Sequence, residues 1–404
     1  MRRRAGDAWI SPLGTRFERV SVDERPSVAG EVRLRVRTAA GGEVLLFEKE
    51  LTELLASDWW SSGGEGTDPV AAARPTIEQV REALNRSRAL VFENPGEAEV
   101  QSRLGRSLAG GLDPRRYGGA AVRDQQALAE ACLANVLRVA GDLERARSHM
   151  VRARQCLALG RLGSEEGVTV RELEVSLWRD LHDFGAALEI SEGVIDDHRT
   201  AGRRSAVASA LLTRASLLEV MGEPERALSC LREAVRETPA ADAELSLWTA
   251  HNLAFALARA GRTGEASELF ERWRPHYRSS AGVFQPAVLA RRDWLGGLLA
   301  EEPVALLASA RRRFRSAGFA FDAALVSLDL MLALSAAGRQ REAMSLARET
   351  YRELAARGVE RDALAALLQF QHAAREAPEV LLPRWQRAVE GLRRVLADRR
   401  AASR

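Results

Sequence analysis

Chemistry by a folded chain needs reactive side chains gathered in one place, and this sequence scatters them. Its six histidines, His149, His182, His198, His251, His276 and His372, stand far apart, and no metal-ligand spacing links them. The three cysteines, Cys132, Cys156 and Cys230, form no CxxC pair and read as buried free thiols of a reducing compartment. The single lysine, Lys49, follows no glycine-rich loop, so a phosphate-cradling GxxxxGK[ST] turn is absent, as are HExxH and GxSxG. Carboxylates are plentiful, yet they fall at turns and on polar helix faces, without a fixed pair to act as general acid and base. These residue types predict a protein that is not an enzyme and uses no cofactor or metal.

The bulk composition is that of a folded chain. Of 404 residues, 46% are hydrophobic and 28% charged, enough to bury a core without the signature of disorder. Aromatics are only 5%, while Ala and Leu dominate after residue 120, which favours close-packed helices. The net charge is +3, and nearly every base is Arg along the whole length, a compositional bias and not a nucleic-acid footprint. No apolar run reaches the roughly 18 residues that span a bilayer. Arg2, Arg3 and Arg4 are not followed by an apolar segment, because Gly6, Asp7, Ser11 and Arg16 interrupt it. The expectation is a soluble, cytoplasmic protein without a membrane partner.

The elements that must position any site come in two kinds. In residues 1–60, Val32, Leu34 and Val36 alternate with Glu31, Arg33, Arg35 and Arg37, a strand pattern. Ala39-Ala40-Gly41-Gly42 offers a turn and Glu43 to Phe47 a return strand, with an amphipathic helix over Glu48 to Trp60. This small α+β module precedes a linker over 61–76. From 77 to 398 the pattern is helical and repetitive, with turns at Gly141–Ala146, Gly222–Ala227, Gly261–Ala266 and Gly338–Ala343. Weaker copies fall at Leu181–Ala186 and Ala300–Ala305, giving intervals of 40, 41, 39, 39 and 38. Gly suits the left-handed end of a first helix, Pro224 the first turn of a second, and the following Ala the close approach of two helices.

The helix–turn–helix unit with its G-x-x-x-x-A core resembles tetratricopeptide repeats, in a divergent bacterial form with longer units. The likeness covers about four-fifths of the chain, carried by ENPGEAEVQSRLGRSLAGGLDPRRYG, HNLAFALARAGRTGEA and GFAFDAALVSLDLMLALSAAGRQREA. Trp178, Trp248 and Trp294 echo the family's aromatic positions, although most of its consensus Trp, Tyr and Pro residues are missing. The resemblance implies an all-α, right-handed α-solenoid of about seven hairpins, behind the small N-terminal module.

In such arrays the first helices line the binding surface. The candidates are Asn135, Arg138, Arg179, Arg214, Asn252 and Arg259, with Asp329 and Ser335 beside them. Asn252 is suited to hold an extended peptide backbone, or equally an inter-repeat hydrogen bond. Trp59-Trp60 offers either a docking patch or packing for the N-terminal module. Residues 271–315 hold nine basic and four acidic residues, which suits either an acidic ligand or solvated helix faces with packed stems. The expected function is a scaffold or adaptor that binds a protein or peptide partner. A ligand-sensing regulator, with the N-terminal module as output, is the alternative, and nucleic-acid binding through the Arg-rich repeats a lesser one.

Overall fold

A computed structural model describes residues 8–10, 16–23, 33–37, 43–47, 75–92, 94–161, 163–278 and 285–356. The helices start where a polar cap meets the first apolar stripe. Thr76 caps α1 (Ile77–Leu90): its hydroxyl accepts from the Gln79 N–H, and Gln79 Oε1 accepts from the Thr76 N–H. That exchange satisfies two amides a helix start otherwise leaves without a partner. There follow α2 (Pro95–Gly110), the single-turn α3 (Pro114–Tyr117), α4 (Gly119–Val139), α5 (Leu143–Leu157), α6 (Glu165–Asp180) and α7 (Phe184–Thr200). Next come α8 (Arg204–Val220), α9 (Pro224–Glu237), α10 (Ala243–Arg259), α11 (Thr263–Trp273) and a 3-10 segment (Arg274–Arg278). The last described are α12 (Gln285–Leu299), α13 (Val304–Ser316), α14 (Ala320–Ala336) and α15 (Gln340–Ala355). Apart from α3 they form seven helix–turn–helix units among the described residues.

Ahead of them, β1 (Ala8–Ile10), β2 (Arg16–Asp23), β3 (Arg33–Arg37) and β4 (Glu43–Phe47) pair antiparallel in the order β1-β2-β3-β4. In the β3–β4 pair, Leu34 lies opposite Leu46 and Val36 opposite Val44. The strands β1 and β2 are additions to the expected hairpin; a register shift between Arg19 and Ser21 breaks the period-two pattern that would have marked β2. The expected helix over 48–60, most of the linker and everything beyond residue 356 lie outside the described residues. The described residues divide into two compact units, one ending at residue 197 and one starting at residue 198.

One backbone device closes most hairpins. Gly141 adopts φ 84°, its N–H donates to the Arg138 carbonyl, and the Asp142 N–H donates to the Leu137 carbonyl. These two bonds satisfy carbonyls at the helix end, and the positive φ they need is strained for any residue with a Cβ. The same pair of bonds recurs at Gly222, Gly261 and Gly338. At the copy expected over Leu181–Ala186 the frame moves by one residue: His182 takes the left-handed place at φ 61°, and Ala187 matches the buried Ala146. A non-glycine residue there costs about 1 kcal/mol or more. Replacing His182 by Gly is therefore expected to raise stability by up to about 1 kcal/mol, less the loss of the ring contact with Phe184 at 5.9 Å. Urea denaturation measures it, and a loss of stability would show that the ring contact outweighs the strain.

The copy at Ala300–Ala305 departs further. Ala305 is exposed, and the buried contact residue is Leu307. Room for it comes from Gly297 on the facing helix, where a Cβ would lie 2.7 Å from Leu307 Cδ2. The small partner has moved from the second helix to the first, which hides the repeat from a spacing search. Gly297→Ala is expected to cost about 1–3 kcal/mol by overpacking, seen as a lower denaturant midpoint.

The cores are stacked between hairpins. In the first unit Val80, Leu84, Leu128, Leu133, Met150, Leu157 and Leu177 join α1, α4, α5 and α6. In the second, Trp294, Phe314, Leu328, Met331 and Leu354 join α12 through α15. Cys132 and Cys156 are buried, and desolvation pushes each thiol up to about 12. Cys230 is half-buried. Iodoacetamide at neutral pH should therefore modify Cys230 first and spare the other two until the chain unfolds, a pattern peptide mass spectrometry resolves. No described helix is long and apolar enough to cross a membrane.

Candidate functional site

The candidate residues of the first unit are joined to one another. Arg138 on α4 and Asp180 on α6 form an ion pair at 2.5 Å, with side chains 5% and 0% exposed. The Arg138 Nε and Nη2 groups also donate to Asn135 Oδ1, at 3.1 and 2.9 Å. Arg179 Nε donates to the other oxygen of Asp180 at 3.1 Å. Burial lowers the Arg138 pKa from its ordinary value, and the neighbouring Asp180 carboxylate pulls it back. Asn135 and Arg138 thus tie one hairpin to the next and present little to solvent. A second buried pair repeats the idea: Arg154 of α5 donates to Glu174 of α6 at 3.1 Å, and Trp178 Nε1 donates to the same oxygen.

In the second unit the candidates separate. Burial pushes the Cys230 thiol of α9 up, and the positive charge of Arg214 on α8 opposes that rise. Asn252 and Arg259 fall together on one side of α10, with Glu244, Trp248 and Phe255. The spacing of four, four, three and four residues puts all five on one helical stripe. Asn252 and Arg259 are exposed, while Trp248 and Phe255 are half-buried. The opposite side of α10 carries Leu247, Ala250, Leu253, Ala254 and Leu257 into the core.

The geometry around that stripe is well determined by its neighbours. Asn252 Nδ2 donates one hydrogen to the Trp248 carbonyl at 2.8 Å. Its Oδ1 and its second N–H have no protein partner among the described residues. The Arg291 guanidinium of α12 sits 5.0 Å over the Trp248 ring, and Phe255 meets Trp294 edge-on at 4.8 Å. His251, one position before Asn252, turns inward to Tyr277 Oη at 2.8 Å, so the short 3-10 segment after α11 is pinned beneath this helix. Beside α10, the solvent side of α8 carries Ser205, Ser209, Thr213 and Ser216. Ser205 Oγ bonds Asp242, the cap of α10, at 3.2 Å, while Ser209 and Thr213 turn their hydroxyls onto their own backbone. The result is a low polar floor on α8 beside an aromatic and amide ridge on α10.

Trp248 and Phe255 are not among the polar candidates; steps of four, three and four residues back from Arg259 reach Phe255, Asn252 and Trp248. Asp329 is buried and accepts from Trp294 Nε1 at 2.8 Å. Ser335 Oγ is buried and has no hydrogen-bond partner among the described residues. The three tryptophans that echo a consensus position are not equivalent: Trp178 and Trp294 are buried donors to carboxylates, and only Trp248 reaches an open face.

The Arg-rich segment is largely neutralised where it is described. Arg274 pairs with Glu271, Arg292 and Arg313 with Asp293, Arg311 with Glu349, and Arg315 with Glu349 and Glu353. Arg291 is stacked on Trp248. Arg311, Arg313 and Arg315 join neighbouring helices through these pairs, while Arg274 and Arg292 pair with acids of their own segment.

No protein-family model matches the chain, and no curated protein sequence does. Solved structures do. The crystal structure of the apo form of RapI superposes with a TM-score of 0.52 at 13% identity, covering 68% of this chain and 73% of that one. A Rap protein complexed with competence and sporulation factor gives a TM-score of 0.48 at 11% identity, covering 76% of this chain and 77% of that one. A tetratricopeptide repeat protein from Parabacteroides merdae gives 0.43 at 13% identity, covering 73% and 99%. With seven helix–turn–helix units among the described residues, one recurrent turn device and the likeness to RapI, the fold of the chain is of the tetratricopeptide type.

Proposed function

We propose that the protein is a non-catalytic interaction scaffold that holds a segment of a partner protein against the open faces of its first helices, centred on α10. One observation carries the reading: between two half-buried rings, Trp248 and Phe255, Asn252 presents an amide whose Oδ1 and second N–H have no partner among the described residues. A peptide backbone offers matching donors and acceptors, and the rings supply apolar surface that is otherwise left partly wet. Asn135 and Arg138 then hold neighbouring hairpins in register and do not touch the partner. The pairing of Arg residues in 271–315 favours a protein partner over nucleic acid, whose phosphates need unspent positive charge.

The test is affinity capture of partners by the full-length protein, beside its Asn252→Ala variant. The expected result is a partner whose affinity falls at least about tenfold in the variant, the loss of roughly one buried hydrogen-bonded contact. Partners retained equally by both proteins would overturn the assignment of this face.

A further inference from the structure

The first hairpin leaves an apolar stripe open to solvent. Five large hydrophobic residues are exposed among the described residues, and three belong to this hairpin: Phe92 at its turn, and Val100 and Leu104 on α2. Met221 and Leu306 stand singly in other hairpins. Steps of four, three and four residues put Val100, Leu104, Ser107 and Gly111 on one stripe of the helix, about 16 Å long. Glu99 and Arg103, paired at 2.6 Å, give it a polar edge. Apolar surface with a polar rim marks a docking face, and the outermost repeat of an array is the one that needs a cap.

The course of the chain points to the occupant. Pro75 lies at the foot of the stripe, so close that a Cβ on Gly111 would come 2.9 Å from its Cγ. Residues 61–74, which lead into Pro75, have linker composition, and 14 such residues span about 20 Å end to end. That reach covers the stripe from Gly111 to Val100. Just before the linker, Leu51, Leu54, Leu55 and Trp59 recur at helical spacing, and a helix over 48–60 would be about 20 Å long. A segment tethered in this way has an effective concentration in the millimolar range, far above that of a second copy in micromolar solution. We infer that residues 48–60 dock as a helix on α2, with Leu51, Leu54, Leu55 and Trp59 against Val100 and Leu104. The array is thereby capped from within the chain, and the sheet that ends at Phe47 is held beside the first hairpin. This contact is independent of the α10 face.

Ser107, exposed on the stripe between Leu104 and Gly111, is the place for a probe. In the full-length Ser107→Cys protein, iodoacetamide labelling at position 107 is read by peptide mass spectrometry. It is expected to be at least about tenfold slower than in the same protein carrying Leu51→Asp and Leu55→Asp, because docking limits access to the thiol. The slow rate should be the same at about 1 and about 50 μM protein, as an intramolecular contact requires. Equal rates with and without the two Asp substitutions would overturn the inference. Protection that appears only at the higher concentration would also overturn it, and would assign the stripe to a second copy. Ser148→Cys on α5, exposed and away from the stripe, should label at one rate in both backgrounds. A matching acceleration there would mean that the whole unit had loosened, and would overturn the inference as well.

Discussion

Replacing Asp180 by alanine is expected to destabilise the first unit by about 3–5 kcal/mol, because it leaves the Arg138 guanidinium buried without its counter-charge. The pair is almost fully shielded from water, with Asn135 Oδ1 as the remaining acceptor for Arg138. The loss should appear in the amides of α4 and α6 as faster hydrogen exchange and in the whole unit as a lower denaturant midpoint. Changing both residues to apolar ones of similar size, Arg138→Met with Asp180→Leu, is expected to recover most of it. A buried ion pair costs much to desolvate and is weak evidence for net stability, so the double variant separates the cost of breaking the pair from the worth of having it. An Asp180→Ala protein as stable as the wild type would mean that water reaches Arg138.

Trp294→Ala carries the second large expected effect, about 3–5 kcal/mol, from removing a buried aromatic side chain where α12 meets three other helices. Trp294 meets Phe255 of α10 at 4.8 Å and Phe314 of α13 at 6.1 Å, and its indole N–H donates to Asp329 of α14 at 2.8 Å. Trp294→Phe keeps an aromatic ring there and deletes the donor, so it is expected to cost about 1–3 kcal/mol, the usual loss when a buried acceptor is left short. Chemical denaturation of the two variants apportions the interface between ring packing and the hydrogen bond. Equal losses would assign the whole effect to the bond.

The contrast between these two residues shows how much the sequence disclosed. The hairpins were legible because Gly141, Gly222, Gly261 and Gly338 are local signals: each turn closes with backbone bonds inside six residues. His182 blurred one turn because neighbouring helices tolerate a strained residue there, and Gly297 with Leu307 blurred another because the small residue changed helices. The proposed binding face was legible only in part. The rule of residue type and helix put forward Asn252 and Arg259, which are exposed, and also Asn135 and Arg138, which burial has turned into an inter-hairpin brace. Whether a polar residue on a first helix faces solvent or its neighbour depends on Asp180, 42 residues away in sequence from Arg138. No local pattern encodes that choice. Trp248 and Phe255 were passed over for the opposite reason: an aromatic residue on a helix reads as core until its neighbours leave part of it open.

The turn device has a bearing on how such a chain can change length. Each Gly-centred turn uses only its own backbone, so a whole hairpin of about 40 residues is in principle a duplicable cassette. The interfaces limit where copies can be pasted. A copied cassette bearing Arg138 would bring a charge whose mate, Asp180, stays on the following hairpin, and one bearing Trp294 an indole N–H whose acceptor, Asp329, stays on the next. A copy therefore carries its buried seams intact only when the neighbouring hairpin is duplicated with it.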